Sequence, residues 1–359
     1  MPFDRNVPYN NLPLLPPKVE LDTKRILKQV VASSRALAEL KGVGDLIPNQ
    51  AILLSTLGLQ EAKLSSEIEN IVTTNDELYR AFSEETYQLD HATKEVLHYN
   101  QALWVGYEEI RRGRPLSTRL FEEIVQTIKS SRLSIRKLPG TRIASSSGEI
   151  IYTPPEGESV IRDLLANLEK FLYAYDDLDP LIKMAVMHYQ FEAIHPFPDG
   201  NGRTGRIINI LYLVEAGLLN FPILYLSHYI IQNNNNYYKG LRCVTEENAW
   251  EDWILYMLQA VEQTALQTSE KILAIYHLIE TTGTKIKMEL PKVYRKELVE
   301  LLFRQPYCKI KFLELEGIAA RQTAASYLKQ LEQIGILRSM KRGNELYYLN
   351  VPFFELLTK

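Results

Sequence analysis

The spacing of apolar residues along most of this chain predicts helices, because such residues recur every three or four positions. Two such runs flank a short polar loop at residues 195–206: Leu181, Ile182, Ala185, Val186, Tyr189 before it and Ile207, Ile208, Ile210, Leu211, Val214 after it. Residues 22–110 also predict successive amphipathic helices with few glycines. We therefore expect a mainly α protein in which this loop joins two buried helices.

The helical pattern continues to about residue 282 and then changes. Apolar stripes predict helices at 116–130, 160–175, 180–194, 205–216 and 250–263, and a helical stretch at 265–282 that Thr281, Thr282 and Gly283 close. Beyond Pro291, the pattern predicts a winged helix-turn-helix with helices at 295–302, 314–319 and 321–334, a short segment at 309–312, and a hairpin at 337–349 around Arg342-Gly343-Asn344. We expect four units: an N-terminal arm and helical region at 1–101, a core at 102–264, a helical linker at 265–290 and the winged helix at 291–359.

The loop at 195–206 reads His-Pro-Phe-Pro-Asp-Gly-Asn-Gly-Arg-Thr-Gly-Arg and holds residue types that bind and process phosphates. Its glycines permit turns in which successive N–H groups converge on an anion, and the positive end of the next helix adds to this. Arg203 and Arg206 can fork onto phosphate oxygens. Asp199 offers a hard oxygen ligand of the kind that Mg²⁺ takes beside a nucleotide, and His195 can exchange a proton near neutral pH. The loop therefore predicts a phosphate site with its own base.

A plain Asp-Gly-Asn-Gly turn between two helices is the alternative interpretation of this loop, and turn chemistry alone allows it. However, a turn does not require a histidine and two arginines at fixed offsets. The loop also differs from a P-loop, which ends in Gly-Lys-Ser/Thr, and from a dinucleotide fingerprint, which follows a strand. Phosphate chemistry is therefore favoured, and the residues alone specify nothing finer.

At these residues the chain resembles the Fic family, whose signature His-x-Phe-x-Asp/Glu-Gly-Asn-Gly-Arg-x-x-Arg is matched at every specified position. The resemblance implies an α-helical core with a small β-hairpin flap, and transfer of AMP from ATP to a protein serine, threonine or tyrosine with release of pyrophosphate. It implies His195 as the general base, Phe197 as the loop anchor and Asp199 as the Mg²⁺ ligand. The nucleotide-binding residues that it implies are Gly200, Asn201, Gly202, Arg203, Thr204, Gly205 and Arg206. Among these, Asn201 and Arg203 would contact the α- and β-phosphates, and Arg206 the γ-phosphate.

Many members of the family carry an inhibitory helix with the pattern Ser/Thr-x-x-x-Glu-Gly/Asn, which Ser65, Glu69 and Asn70 match. Ser65 and Glu69 lie on one helical face, although an ordinary solvated face has the same spacing. The resemblance implies that Glu69 pairs with Arg206, so that the arginine cannot clamp the γ-phosphate and the α-phosphate of ATP is misoriented. In some relatives the same glutamate positions a water that removes AMP, so the reverse hydrolysis stays open.

Two further features complete the site by resemblance. Residues 141–155 hold two short β-prone pieces around a Ser-Gly turn, and they would form the flap that aligns a target by strand addition. An unrelated surface hairpin has the same pattern. The asparagine-rich run from Gln232 to Tyr238 is either a polar loop or helix start, or the segment that faces adenine and ribose. On the second interpretation, Tyr238 and Tyr229 are candidate nucleotide contacts.

Length, composition and charge are ordinary for a folded protein without a membrane segment. The 359 residues suggest two or three domains, and 46% hydrophobic with 24% charged residues predicts a sizeable core. The net charge of −3 argues against bulk nucleic-acid binding. Cys243 and Cys308 provide neither a disulfide framework nor a zinc pattern. Because no apolar stretch suits a signal peptide or a membrane span, we expect a cytoplasmic location and no membrane partner.

Three classes of function stay open from the sequence. The first is a protein AMP-transferase that uses ATP and Mg²⁺, is restrained by its own helix, and acts on another protein or on itself. The second is another phosphotransfer on the same core, including removal of AMP. The third is a DNA-binding regulator whose core senses nucleotide. A homodimer is a further expectation from the family.

The predicted winged helix carries both signs of charge. Candidate contacts to DNA lie on its second helix and its wing: Arg321, Gln322, Lys329, Arg338, Lys341 and Arg342. Acidic residues dilute this basic face: Glu314, Glu316, Glu332 and Glu345. A protein-interaction winged helix is therefore slightly favoured over a DNA-binding one.

Overall fold

Helices dominate the structure, a computed structural model that describes residues 3–47, 49–83, 89–145, 147–174, 177–342 and 345–358. The helices are α1 (Lys24–Gly44), α2 (Gln50–Ile68), α3 (Asn75–Ser83), α4 (His91–Arg111), α5 (Thr118–Lys129), α6 (Glu158–Leu172), α7 (Pro180–Ile194), α8 (Asn201–Glu215), α9 (Leu226–Gln232), α10 (Asn234–Glu247), α11 (Trp250–Glu289), α12 (Lys296–Arg304), α13 (Ile310–Leu315), α14 (Arg321–Gln333) and α15 (Val351–Thr358). Short strands are β1 (Ile143–Ala144), β2 (Ile150–Tyr152), β3 (Tyr307–Cys308), β4 (Arg338–Arg342) and β5 (Glu345–Leu349). Over these ranges, none of the helices is long and apolar enough to cross a membrane. The mainly α fold expected from the sequence is confirmed.

The helix that follows the polar loop, α8, lies at the centre of the fold. It packs against α7, which precedes the loop, and against α2, α4, α5 and α9. Residues 203–213 of α8 are buried, as are residues 181–194 of α7 except Glu192. At the start of α7, Asp179 caps the helix through the amide of Leu181 at 2.8 Å, and Pro180 occupies the first turn. Because both helices are buried almost completely, the loop between them stands on a rigid support.

The helix α2 ends at the predicted inhibitory motif and is held at its other end by the C-terminal part of the chain. It contacts α4, α8, α9 and α12. The hydroxyl of Ser55 donates a hydrogen bond to the carbonyl oxygen of Arg304 at 2.6 Å, and the side-chain Nδ2 of Asn49 donates to the Glu300 carboxylate at 3.2 Å. These bonds fix the start of α2 against α12, so the position of residues 65–69 depends on both parts of the structure.

The long helix α11 runs without a break to Glu289, so the helix end predicted at residues 281–283 is wrong. The helices predicted at 250–263 and 265–282 are parts of this one helix. Ile279 and Ile286 are both buried, which shows that the apolar period continues through Gly283. Burial on either side outweighs the low helix propensity of a single glycine.

The C-terminal part contains α12 to α15 and a three-stranded antiparallel sheet in the order β3-β5-β4. Strands β4 and β5 form the hairpin predicted at 337–349, and its turn residues Gly343 and Asn344 lie outside the described residues. Two local predictions are wrong. The segment at 309–312 is mostly the first turn of α13, and residues 316–319 follow that helix rather than continuing it. The reason is that Leu313 is fully buried whereas Leu315 is exposed, so the helix is centred on Leu313.

The continuity of α11 predicts that Gly283→Ala stabilises the protein. Gly283 has helical backbone, and an added Cβ would meet Val299 and Tyr294 at ordinary contact distances of 3.9–4.0 Å. We expect the free energy of unfolding to rise by about 0.5–1 kcal/mol, measured by chemical denaturation. The control is Gly317→Ala, because Gly317 has a φ of +66° and an alanine there is strained. A loss of stability in Gly283→Ala would contradict the uninterrupted helix.

Candidate active site

The polar loop between α7 and α8 is fixed by its own backbone geometry. His195 follows α7 in the left-handed conformation at φ 49°, and Gly200 precedes α8 at φ 82°. The carboxamide of Asn201 closes the loop, because it accepts a hydrogen bond from the amide of Phe197 at 2.8 Å and donates to its carbonyl at 2.7 Å. Phe197 is fully buried and packs near Phe191. The loop is therefore rigid, and the side chain of Asn201 is used for closing it.

The amino end of α8 is arranged as an anion site. Gly200 provides no side-chain cap, so the first amides of the helix are available to a ligand. A Cβ at Gly202 would lie 2.4 Å from Oε1 of Glu69, and only glycine permits this approach. Gly205 is equally restricted, with a Cβ position 2.5 Å from Oε1 of Glu192, and Thr204 is fully buried. The glycines thus serve close packing around the site as well as backbone freedom.

Arg206 is buried against the end of α2, with a side-chain exposure of 1%. Its Nε donates to the hydroxyl of Ser65 at 2.7 Å, and its Nη2 donates to the Ser65 carbonyl and to Oε1 of Glu69, both at 2.9 Å. Glu69 directly follows α2, and Asn70 then adopts the left-handed conformation at φ 60°, which asparagine tolerates better than most residues. Asn70 therefore follows the end of α2 in the left-handed conformation, and Ser65 and Glu69 bind the guanidinium of Arg206.

Two residues that the sequence did not single out, Glu95 of α4 and Lys129 of α5, hold the other charges of the loop. Arg203 Nη1 lies 2.5 Å from Glu95 Oε2. Lys129 Nζ lies 3.2 Å from Glu95 Oε1 and 2.7 Å from Asp199 Oδ2. Burial raises the pKa of Glu95 and Asp199, but the adjacent cations outweigh it and hold both pKa values below their usual range. The charges alternate along Arg203, Glu95, Lys129 and Asp199.

His195 is held as a neutral imidazole. Burial disfavours its charged form and the nearby Arg136 adds to this effect, so its pKa is lowered to about 4 although Glu69 and Asp199 oppose the shift. Arg136, which belongs to no sequence motif, donates from Nε to the His195 carbonyl at 2.6 Å. One turn earlier, burial raises the pKa of Glu192 to about 7, against the attraction of Arg206. A neutral His195 can accept a proton at physiological pH.

The two tyrosines predicted to face a nucleotide have different surroundings. Tyr238, on α10, is 51% exposed, and partial burial together with the charge of Glu69 raises its pKa, which places it close to that glutamate. Tyr229 is buried instead and packs against Tyr256 of α11, with ring centroids 5.3 Å apart. The neighbouring Tyr237 of α10 is hydrogen-bonded through its hydroxyl to His188 of α7 at 2.8 Å. Tyr238 borders the site, whereas the contacts of Tyr229 are with the core.

The predicted flap region forms a short hairpin, in which Ile143 of β1 pairs with Tyr152 of β2. Ser146, in its turn, lies outside the described residues. The hydroxyl of Tyr152 donates to the carbonyl of Ala193 at 2.9 Å and so anchors the hairpin beside the end of α7. The N-terminal arm runs along the hairpin, where the amide of Tyr9 donates to the carbonyl of Thr153 at 3.1 Å. The hairpin is thus fixed next to His195.

Family models match three parts of the chain. The model described as Fic/DOC family N-terminal matches residues 27–108, and the Fic/DOC family model matches residues 114–213. A third, described as protein adenylyltransferase SoFic-like, C-terminal domain, matches residues 278–353.

Individual proteins and structures show the same likeness. A probable protein adenylyltransferase of Aquifex aeolicus is 31% identical over 195 residues, which are 49% of this chain and 54% of that protein. The protein adenylyltransferase fic-1 of Caenorhabditis briggsae is 33% identical over 92 residues, which are 25% of this chain and 17% of that protein. The chain thus spans about half or less of the length of these curated relatives. The crystal structure of a Fic family protein from Desulfovibrio desulfuricans matches 91% of this chain and 96% of its own, with a TM-score of 0.56 and 16% identity, which shows a shared fold.

The two Fic/DOC models together match about half of the residues. They agree with the signature loop and with the contact between Glu69, at the end of α2, and Arg206. This chain belongs to the Fic/DOC family.

Proposed function

We propose that this chain is a protein adenylyltransferase that transfers AMP from ATP to the hydroxyl of a serine, threonine or tyrosine in a protein. The observation that carries the proposal is the arrangement around one loop. A neutral histidine, the open amino end of α8 and two buried arginines surround a single site. Relatives that share the Fic domain are named protein adenylyltransferases, which supports the same reaction. We also propose the four units predicted from the sequence: the N-terminal region at 1–101, the core at 102–264, the helical linker at 265–290 and the winged helix at 291–359.

In the proposed reaction His195 removes the proton from the target hydroxyl as its oxygen attacks the α-phosphorus. The bond from that phosphorus to the oxygen bridging to the β-phosphate breaks, and pyrophosphate leaves on the opposite side. The amides at the start of α8, with Gly200 to Gly202, would hold phosphate oxygens, and Arg203 would neutralise charge that develops on them. Arg206 would hold the γ-phosphate. The low pKa of His195 keeps it neutral at physiological pH, as a base requires.

A magnesium ion is a proposed participant, and the loop fits it. The Asp199 side chain is 59% exposed and ionised, and Mg²⁺ commonly takes one or two protein carboxylates together with nucleotide phosphates. Where the structure describes the chain, no cluster of three or more potential ligands surrounds it, so phosphates and water would complete the shell. When bound, the ion would neutralise phosphate charge. Lys129, now 2.7 Å from Asp199, would have to move away from that oxygen.

We further propose that Glu69 restrains the enzyme. Its carboxylate accepts a hydrogen bond from Nη2 of Arg206 at 2.9 Å. The Glu69 side chain is 37% exposed, which places it at the edge of the site. A γ-phosphate and Glu69 would compete for the same guanidinium. With Glu69 in place, the nucleotide would bind without this clamp and with its α-phosphate out of line.

Replacement of Glu69 tests this restraint. We expect Glu69→Gly to raise AMP transfer by about tenfold to 10²-fold, because correct placement of the α-phosphate is restored. The measurement is incorporation of α-labelled ATP, with mass spectrometry to identify the modified residue. Glu67→Gly is the matched control, since Glu67 lies in the same turn and its carboxylate faces Lys63, 3.9 Å away, whereas Glu69 binds Arg206. Equal rates for Glu69→Gly and the wild type would refute the restraint.

Replacement of His195 tests the base. In the Glu69→Gly background, His195→Ala should lower AMP transfer by about 10²-fold or more, because no other group would remove the proton. Binding of ATP, measured by calorimetry, should change little. His277→Ala, an exposed histidine on α11, is the control. Retention of label transfer in His195→Ala would exclude His195 as the base.

Removal of AMP from a modified target is the second candidate reaction of the same site. The partly exposed Glu69 carboxylate next to the phosphate-binding turn favours it, because a carboxylate there can orient a water. Comparison of α- and γ-labelled ATP separates AMP transfer from other phosphotransfers, and incubation with an AMP-modified target detects removal. A homodimer and a cytoplasmic location stay predictions from the sequence.

We propose that α12 to α15 with their sheet form a winged helix-turn-helix. Exposed Arg321, Gln322 and Lys329 on α14 and Arg338 and Lys341 on β4 support binding of DNA as a second role. The exposed Glu314, Glu316 and Glu345 oppose it.

DNA binding by this part has a direct test. If the basic residues contact phosphates, the full chain should retard duplex DNA in a gel at low salt, and the shift should weaken steeply as salt rises. Arg321→Ala with Lys329→Ala should reduce it. The absence of a shift at low salt would exclude the DNA-binding role and leave protein contact as the role of this part.

A further inference from the structure

We propose that Arg136 is a positioning residue for the reaction, which fixes the backbone of His195 and joins it to the hairpin of β1 and β2. The inference rests on the proposed function, because it assumes that His195 acts as the base. Arg136 lies in the segment between α5 and β1, and its side chain is buried although it carries a charge. Such a group is retained only where it has strong partners.

Arg136 binds the chain on both sides of His195. Its amide donates to the carbonyl of Pro196 at 2.9 Å. Its Nε donates to the carbonyl of His195 at 2.6 Å, and its Nη2 donates to the carbonyl of Ile194 at 3.2 Å. Three consecutive carbonyls around His195 are therefore held by one residue.

The end of α7 requires these bonds. The last carbonyls of a helix have no intrahelical partner, and a cation placed there also offsets the negative end of the helix dipole. His195 has a φ of 49°, a left-handed conformation that is strained for a residue with a Cβ. The fork of Arg136 stabilises that conformation, and the backbone angle determines where the imidazole of His195 points.

The same guanidinium reaches the hairpin. Its Nη2 also donates to the carbonyl of Pro155 at 2.8 Å, shortly after β2. The hydroxyl of Tyr152 on β2 donates to Ala193, so the hairpin has a second bond to the end of α7. If the hairpin aligns the target segment, Arg136 fixes the distance between that segment and the base. A lysine could not replace it, because one ammonium lacks the planar fork.

Arg136 also acts on the charge of His195. The groups that face this imidazole are Arg136, Glu69 from the end of α2, Asp199 from the loop, and the carbonyl of Glu192 on α7. Burial lowers the pKa of His195 most and Arg136 adds to this, whereas the other three groups raise it. Loss of the Arg136 charge should therefore raise the pKa of His195 from about 4 towards its ordinary 6.5.

Two substitutions separate these effects. Arg136→Gln removes the charge and the fork, and Arg136→Lys keeps the charge but loses the fork. In the Glu69→Gly background we expect kcat to fall by about tenfold or more in both variants, while the KM for ATP changes less than about twofold, because the phosphate site is untouched. The control is Arg132→Gln, an exposed arginine of the same segment, which should leave kcat unchanged.

The pKa of His195 is measured by NMR titration of histidine-labelled protein, with His195→Gln used for assignment. It should rise measurably in Arg136→Gln and stay near the parent value in Arg136→Lys. Because this titration needs no turnover, it tests Arg136 even if the chain transfers no AMP. If Arg136→Gln does not fold, Arg136→Lys decides through kcat. Full kcat in folded Arg136→Lys, or an unchanged pKa in folded Arg136→Gln, would overturn the proposal.

Discussion

A buried guanidinium needs an anion, and in this structure Arg206 imposes that requirement on everything around it. Arg206 belongs to α8, and its side chain is only 1% exposed, so an unpaired charge there would cost free energy. Ser65 supplies a hydroxyl and a carbonyl, but both are uncharged, and Glu69 supplies the negative charge. Removing one partner of a buried ion pair generally costs about 3–5 kcal/mol. A site that needs an anion this strongly is well suited to exchange a carboxylate for a phosphate.

The requirement shapes the packing of several elements. A side chain at Gly202 or Gly205 would displace the Glu69 or Glu192 carboxylate that approaches α8 there, and the left-handed Asn70 ends α2 immediately after Glu69. The start of α2 is tied to α12, so the partner of Arg206 is carried on a helix with two supports. A change in the C-terminal part that shifted α2 would also shift Glu69. Through α2, the ion pair of Arg206 with Glu69 therefore depends on the packing of α12.

The sequence predicted the residues whose spacing is local and left out those that the fold brings together. The loop from His195 to Arg206 and the short motif of Ser65, Glu69 and Asn70 are visible because all their members lie within a few residues of one another. Glu95, Lys129 and Arg136 come from separate elements and carry no motif, since an ion pair between helices leaves no period in the sequence. The sequence gives no sign that Arg136 is buried, because its partners are backbone carbonyls of a distant segment.

Two predicted helix boundaries, in α11 and α13, were wrong for a related reason. Gly283 favours a helix end by its propensity, but buried isoleucines before and after it keep the apolar stripe in phase, and packing decided the outcome. Similarly, the start of α13 follows the burial of Leu313 and not the pattern of its charged neighbours. The spacing of apolar residues predicted most of the helices, but it did not predict where tertiary contacts extend them.

The central claim is that Glu69 and the γ-phosphate compete for Arg206, and calorimetric titration of the wild type and Glu69→Gly with ATP and with ADP tests it most directly. In the variant the γ-phosphate should add a charge-assisted bond of roughly 1.5–3 kcal/mol, so the ratio of ATP to ADP affinity should rise by about tenfold or more over the wild type. An equal ratio in the two proteins would contradict the account.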